Sequence, residues 1–177
     1  VPRLAFGGTM LFYGILALAL LGVDQWVKHW TVLTFAPPLA GTTFTMDAPR
    51  ALLPGVVELT RVHNYGAAWS SFSGMRWLLI GVTTAIVVAV AVVVVRKIVR
   101  HPLGLTACAL ILSGGVGNLI DRLRMGYVVD MFNFQFIHYP VFNVADICVV
   151  SGAILAAIYY LWFYEKYDQK DSAHGKA

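Results

Sequence analysis

Charge is what this sequence has least of. Only 12% of its 177 residues are Asp, Glu, Lys or Arg, against 59% hydrophobic, whereas soluble domains carry about 25% charged residues. So little charge cannot cover a water-facing surface, which excludes an ordinary soluble domain and leaves lipid contact as the alternative. The net charge of +4 is small, and the cations sit beside apolar runs, where they set membrane orientation. Nucleic acid is not an expected partner. Cysteine is nearly absent: Cys108 and Cys148 both lie inside apolar runs, where they read as buried thiols and not as a disulfide framework. Metal-ligand spacing is missing as well. His29, His63 and His138 are scattered with no HExxH-type pattern, so neither a metal nor a cofactor is expected. Ser70, Ser71 and Ser73 have no base in a recognisable triad context. No internal repeat is evident.

What is present is a set of uncharged runs. Leu4–Val23, Trp77–Val95, Leu103–Ile120 and Ile147–Tyr164 contain no charged residue, and each is near the roughly 20 residues that an α-helix needs to cross a bilayer. The first is too long for the apolar core of a signal peptide and runs directly into Asp24-Gln25-Trp26-Val27-Lys28 without a cleavage site. The expected fold is all-α and membrane-embedded: four transmembrane helices at about 4–29, 77–95, 103–121 and 146–164, in a single integral domain spanning 1–177. The chain opens on Val1 and not on methionine, which suggests trimming, so Val1–Arg3 stay outside this reading.

The connections differ. Arg96-Lys97-Ile98-Val99-Arg100-His101-Pro102 is a short basic turn, cytoplasmic by the positive-inside rule. Four spans then put both termini in the cytoplasm, with a polar, disordered tail at 165–177. The long connection after the first helix carries Pro37-Pro38, Thr42–Met46 and Val56–Val62. The last reads as a strand from its β-branched content and alternation. A small β-rich platform at about 38–70 is expected on the outer face, ending at Asn64-Tyr65-Gly66-Ala67-Ala68-Trp69-Ser70. That segment reads equally as a close-approach site or a turn closing a hairpin. The second outer connection runs from Asp121 to Asn143.

Every polar cluster falls toward one membrane face. Asp24 and Lys28 are four residues apart, hence on one helix face, and could be a simple helix-end ion pair. Asn118, Asp121 and Arg122 also share a face, and Asp121 and Arg122 could merely pair with each other. Gly114, Gly115 and Gly117 one turn below allow close helix packing. Asn143 and Asp146 fit an N-cap with an acid at the third position. Asp130 is different: no turn or helix start calls for a carboxylate inside Val128-Val129-Asp130-Met131-Phe132. A carboxylate at the edge of lipid costs free energy, about 2.5–3.5 kcal/mol on the lenient insertion scale. Two close aspartates share one proton, because both cannot ionise cheaply. One can then take a proton from water while the other donates to a carbonyl oxygen. Apolar neighbours should favour a neutral Asp130, and the helix N-terminus a charged Asp146, although the pair titrates as a unit.

The ordered set DQWVK, NYGAAWS, GGVGNLIDR, VVDMF and FNVAD resembles the lipoprotein signal peptidases (signal peptidase II), bacterial intramembrane aspartic proteases. Each motif alone is weak; five in order from Asp24 to Asp146 are specific. The resemblance implies Asp130 and Asp146 as the catalytic pair. It places Asn64, Gly66, Asn118 and Arg122 around the substrate backbone and the pair, with Asn143 beside it and Asp24 and Lys28 in support. Asp121, Gly114 and Gly115 are structural on this reading. The implied substrate is a diacylglyceryl-modified prolipoprotein, cut on the N-terminal side of its lipidated cysteine by a monomer in contact with membrane lipids. The implied location is the bacterial inner membrane, with the active site at the outer face. Trp69 and Met131 stand where this family more often has Phe. The presenilin and prepilin-peptidase types are marked by a GxGD motif, which is missing here. A small proton- or ion-coupled transporter is the rival reading, since intramembrane charges also mark ion paths, and a membrane assembly factor with a polar belt is another. The charges cluster at one face and not through the midplane, which argues against transport.

Overall fold

A computed structural model describes residues 3–67 and 71–169 of the chain. Among these, four helices are long and apolar enough to cross a membrane: α1 (Arg3–Thr34), α2 (Arg76–Val95), α3 (Pro102–Arg124) and α4 (Val144–Trp162). Three short strands accompany them, β1 (Arg50–Leu53), β2 (Val57–Asn64) and β3 (Val128–Phe134). α2 shows why lipid is required. Its Val-rich sequence has poor intrinsic helix propensity, yet it has no buried residue along its length. In hydrocarbon the backbone must satisfy its own hydrogen bonds, so the helix forms regardless of propensity.

α3 is the central element and packs against α1, α2 and α4. Small residues make this possible. A Cβ on Gly114 would stand 2.3 Å from the Ala145 carbonyl oxygen and 2.8 Å from Val149 Cγ2, so α3 and α4 touch backbone to backbone. Gly115 faces α2 instead, where a Cβ would meet Val87. At the opposite end of α3, His101 is the N-cap: its Nδ1 accepts from Leu103 N, and Pro102 occupies the first turn.

α1 runs to Thr34, past the expected end near residue 29. The expectation stopped at the Asp24–Lys28 charges, but these pair within the helix at 2.9 Å. The Thr31 and Thr34 hydroxyls then donate back to the carbonyls of Val27 and Trp30. α3 likewise passes its expected end at 121, and α4 starts at Val144 on an Asn143 cap. Of the polar segment at 165–177, expected as a disordered tail, residues 170–177 lie outside the described residues, and Tyr164–Gln169 is a π-helical turn. Asp168 is buried there; it accepts from the backbone N–H groups of Arg100 and His101 and from the Tyr159 hydroxyl.

The expected platform is an antiparallel sheet in the order β1-β2-β3. Its third strand comes from the second outer connection, Asp121 to Asn143, where the sequence predicts no strand. β2 carries a bulge: Leu59 pairs with Phe132 and Val62 with Asp130, leaving Thr60 and Arg61 opposite Met131. Beyond it Asn64 pairs with Val128, so Val62 and Asn64 share a face with Asp130 while His63 and Val129 point away. The platform rests on α1 through a buried cluster of Phe35, Leu59, Val129 and Met131.

Gly114→Val should collapse the α3–α4 contact. Overpacking of this kind costs about 1–3 kcal/mol or more, so thermal unfolding in detergent should show a clear loss, whereas Gly22→Ala, with nothing within 4 Å of the added Cβ, should match the parent.

Candidate active site

One buried ammonium joins three elements. Lys28 Nζ lies 2.9 Å from Asp24 Oδ2, 2.9 Å from Asp121 Oδ2 and 3.0 Å from Asn118 Oδ1. Its three N–H donors therefore meet three acceptors, and Asp24, Lys28 and Asp121 are each at most 3% exposed. The two carboxylates also reach further. Asp24 Oδ1 accepts from Ala145 N at 2.8 Å, and Asp121 Oδ2 also accepts from Val129 N at 3.3 Å. Gln25 adds its amide to Asp24, Asp121 and the Gly117 carbonyl. A Cβ on Gly117 would come within 2.5 Å of Asp24 Oδ2, so only glycine lets α3 approach this carboxylate.

Asp130 on β3 and Asp146 in the first turn of α4 come together through Asn143. The Asn143 side-chain amide donates to Asp130 Oδ1 at 2.6 Å, and its backbone N–H donates to Asp146 Oδ2 at 3.1 Å. Asp146 N returns a bond to Asn143 Oδ1 at 2.8 Å, which completes a capping box. The cap and the carboxylate pair, alternatives in the sequence, are therefore one arrangement. Asn64 Nδ2 holds Asp130 Oδ2 at 2.9 Å, and Asn118 Nδ2 holds Asp146 Oδ1 at 2.8 Å. Each oxygen of the two carboxylates thus has an amide donor. Asn118 cannot flip, because its Oδ1 faces the Lys28 ammonium and the Asn143 amide. Burial, reinforced by the negative charge of Asp146, pushes the Asp130 carboxyl up to about 7; bonds from Asn64 and Asn143 and the charge of Lys28 act against this.

Arg122 and Asp121, neighbours in sequence, do not pair. Arg122 donates to the Gly66 carbonyl at 2.8 Å, while Asp121 serves Lys28. Gly66 N in turn bonds Asn64 Oδ1 at 2.9 Å, so the Asn64–Gly66 turn is held from both sides. Residues 68–70, including Trp69 and Ser70 of the same motif, lie outside the described residues. Every site residue expected from the sequence is found at or next to this cluster, save Gly114 and Gly115, which pack helices below it. Gln25 and the Ala145 amide were not anticipated, and Gly117, expected to allow close helix packing, does so against the Asp24 carboxylate. Gln25 had a usable signal, being an amide beside Asp24 in the DQWVK stretch; a backbone N–H has none.

The pair opens on space of two kinds. A cavity of about 280 Å³ is bounded by Asp130, Asp146, Asn118 and Arg122 at one end and continues between apolar side chains of α2, α3 and α4, among them Ile86, Val87, Ile111 and Val149. A second recess of about 410 Å³ lies on the platform side and shares Asn64 and Asp130 with the first. Asp130 borders both spaces and Asp146 the first. Two buried carboxyls that share a proton, with water and a carbonyl between them, have the composition for acid–base hydrolysis without a covalent intermediate.

Comparison with known proteins agrees with this chemistry. A lipoprotein signal peptidase of Streptococcus thermophilus (strain CNRZ 1066) is 37% identical over 145 residues, covering 82% of this chain and 88% of that protein. One from Enterococcus faecalis is 32% identical over 170 residues, covering 94% and 95%. One from Latilactobacillus sakei is 39% identical over 155 residues, covering 84% and 93%. A solved structure described as a bacterial membrane enzyme superposes with a TM-score of 0.75 at 26% identity, over 88% of each chain. The family profile described as signal peptidase (SPase) II matches residues 16–162, and on these grounds the chain belongs to the signal peptidase II family.

Proposed function

We propose that this protein is a lipoprotein signal peptidase, a bacterial membrane aspartic endopeptidase that removes signal peptides from prolipoproteins, with Asp130 and Asp146 as its catalytic pair. The observation that carries the assignment is the Asn143 bridge. It ties one carboxyl on the platform strand, which borders both the cavity and the platform-side recess, to one at the start of α4, which borders the cavity. The substrate is diacylglyceryl-modified and is cut on the N-terminal side of the lipidated cysteine; its acyl chains and signal helix suit an apolar cavity open among the membrane helices. The protein sits in the cytoplasmic membrane with both termini inside and the pair near the outer face, in keeping with the basic Arg96–His101 turn. It acts as a monomer, since one chain supplies every group around the pair.

In the reaction, Asp130 holds the shared proton and Asp146 is the base. Asp146 takes a proton from water as the water oxygen attacks the scissile carbonyl carbon. Asp130 gives its proton to the carbonyl oxygen, producing a neutral gem-diol. Asp146 then returns its proton to the leaving nitrogen, the C–N bond breaks, and Asp130 recovers a proton from a diol hydroxyl. Asn143 stays bonded to both carboxyls and limits their separation throughout. Asn64 and Asn118 keep the outer oxygens in place, which is the positioning that converts a bimolecular attack into an intramolecular one.

Asp130→Asn and Asp146→Asn should each reduce turnover by at least about 10²–10⁴-fold, the usual weight of a general acid or base, in protein that remains folded and inserted. A gel-shift cleavage assay on lipidated prolipoprotein tests this, and substantial activity in either variant would remove the assignment. Activity should also fall as pH rises through about 7, where Asp130 loses the shared proton. The stability consequence has the same sign. Between the ordinary carboxylate range and about 7 the folded protein keeps a proton that the unfolded chain gives up, so stability declines with rising pH across that window. Denaturant titrations at several pH values should show this slope in the parent and lose it in Asp130→Asn. By contrast, Asp121→Asn should cost stability, about 3 kcal/mol for weakening a buried ion pair, while the fraction that folds keeps its turnover; a folded but inactive variant would reassign Asp121 to the chemistry.

A further inference from the structure

Arg61 is a buried cation with no ion pair among the described residues. It is 6% exposed, and a charge so placed is costly unless its donors are met. Three of its five donors meet unusual partners. Nη1 donates to the Phe35 carbonyl at 3.0 Å and to the Val32 carbonyl at 3.2 Å, at the C-terminal end of α1, where carbonyls lack intrahelical donors and the helix dipole favours a cation. Nε donates to His63 Nε2 at 3.1 Å. That bond requires the His63 tautomer protonated at Nδ1. Burial, and behind it the charge of Arg61, holds His63 down at about 4, so the ring remains an acceptor at neutral pH. The ring also stacks on Tyr127 at 3.8 Å and 15°, just before β3 begins.

These contacts reach the pair along the sheet, with His63 also bordering the platform-side recess. His63 pairs with Val129 in the β2–β3 register, so it is flanked in its own strand by Asn64 and faces the residue that precedes Asp130. The bulge at Thr60–Arg61 is what lets β2 present Arg61 to the end of α1 and, three residues later, Asn64 to Asp130. α1 also carries Asp24 and Lys28, which hold the Asp146 side of the site through Ala145 and Asn118. One guanidinium therefore joins the element that locates Asp146 to the strand that locates Asp130.

We propose that Arg61 is a positioning residue for the peptidase reaction, acting through His63 and Asn64 to set Asp130 against Asp146. It touches neither carboxyl and no part of the substrate path. A residue of this kind should affect turnover more than substrate binding, and its effect should vanish once Asn64 is gone.

This inference rests on the peptidase reading, and the experiment separates the two. Full-length parent, Asp130→Asn, Arg61→Met, Asn64→Ala and the Arg61→Met/Asn64→Ala double variant would be assayed in detergent on diacylglyceryl-modified prolipoprotein. Cleavage by the parent and none by Asp130→Asn upholds the peptidase reading whatever Arg61 does. Arg61→Met should then lower kcat by about tenfold, equivalent to about 1.4 kcal/mol, with KM within about twofold, and should add less than about twofold to Asn64→Ala in the double variant. Arg61→Lys, which keeps the charge but not the fork, should recover part of the loss. Unchanged kcat in Arg61→Met, or losses that multiply in the double variant, would overturn the proposal. Should Arg61→Met fail to fold, Arg61→Gln carries the same cycle with the same outcomes, and failure of both to fold would assign Arg61 to stability alone.

Discussion

The structure depends on the burial of one ammonium group. A lysine taken out of water must have all of its donors met, and Lys28 meets them with Asp24, Asp121 and Asn118. Those partners come from two helices, and the same side chains also bond to β3 and α4. The desolvation cost of the charges is thereby offset only in one relative arrangement of four elements. Apolar contacts among membrane helices are poorly directional, because lipid is as apolar as the helix faces. The polar cluster supplies the direction, and the carboxyl pair is located by the same atoms.

The amides translate this arrangement into chemistry. Asn118 is oriented by Lys28 and Asn143, so its N–H faces Asp146. Asn143 is both the cap of α4 and the bridge between carboxyls. Neutral donors are well suited here: they fix carboxyl oxygens without supplying a full positive charge, which would favour ionising both members of the pair. The two nearby cations bond elsewhere: Lys28 is held behind Asn118, and Arg122 donates to the Gly66 carbonyl.

The four spans were legible in the sequence because lipid demands long uncharged runs, and this demand leaves few alternatives. The pairing of Asp24 with Lys28 and the cap at Asn143 were legible because both are local, set by helix periodicity. β3 was not legible as a strand. Val128–Phe134 pairs with a segment about seventy residues earlier, and its Asp130 breaks the apolar alternation that would have marked it. The separate fates of Asp121 and Arg122 were equally hidden, since adjacent residues on a helix diverge in direction and only the neighbouring helices decide what each meets. The segment after Tyr164 read as a polar tail from its composition, yet a single buried acceptor, Asp168, fastens it to the start of α3.

The spacing of Asp24 and Lys28 on one helix face also bears on biogenesis. α1 emerges from the ribosome nearly a hundred residues before Asn118 and Asp121. Its ammonium and carboxylate lie 2.9 Å apart within that helix, so the first span can enter the bilayer already neutralised, as an internal zwitterion. Asp121 and Asn118 of α3 then complete the bonding of an ammonium that α1 already carries paired.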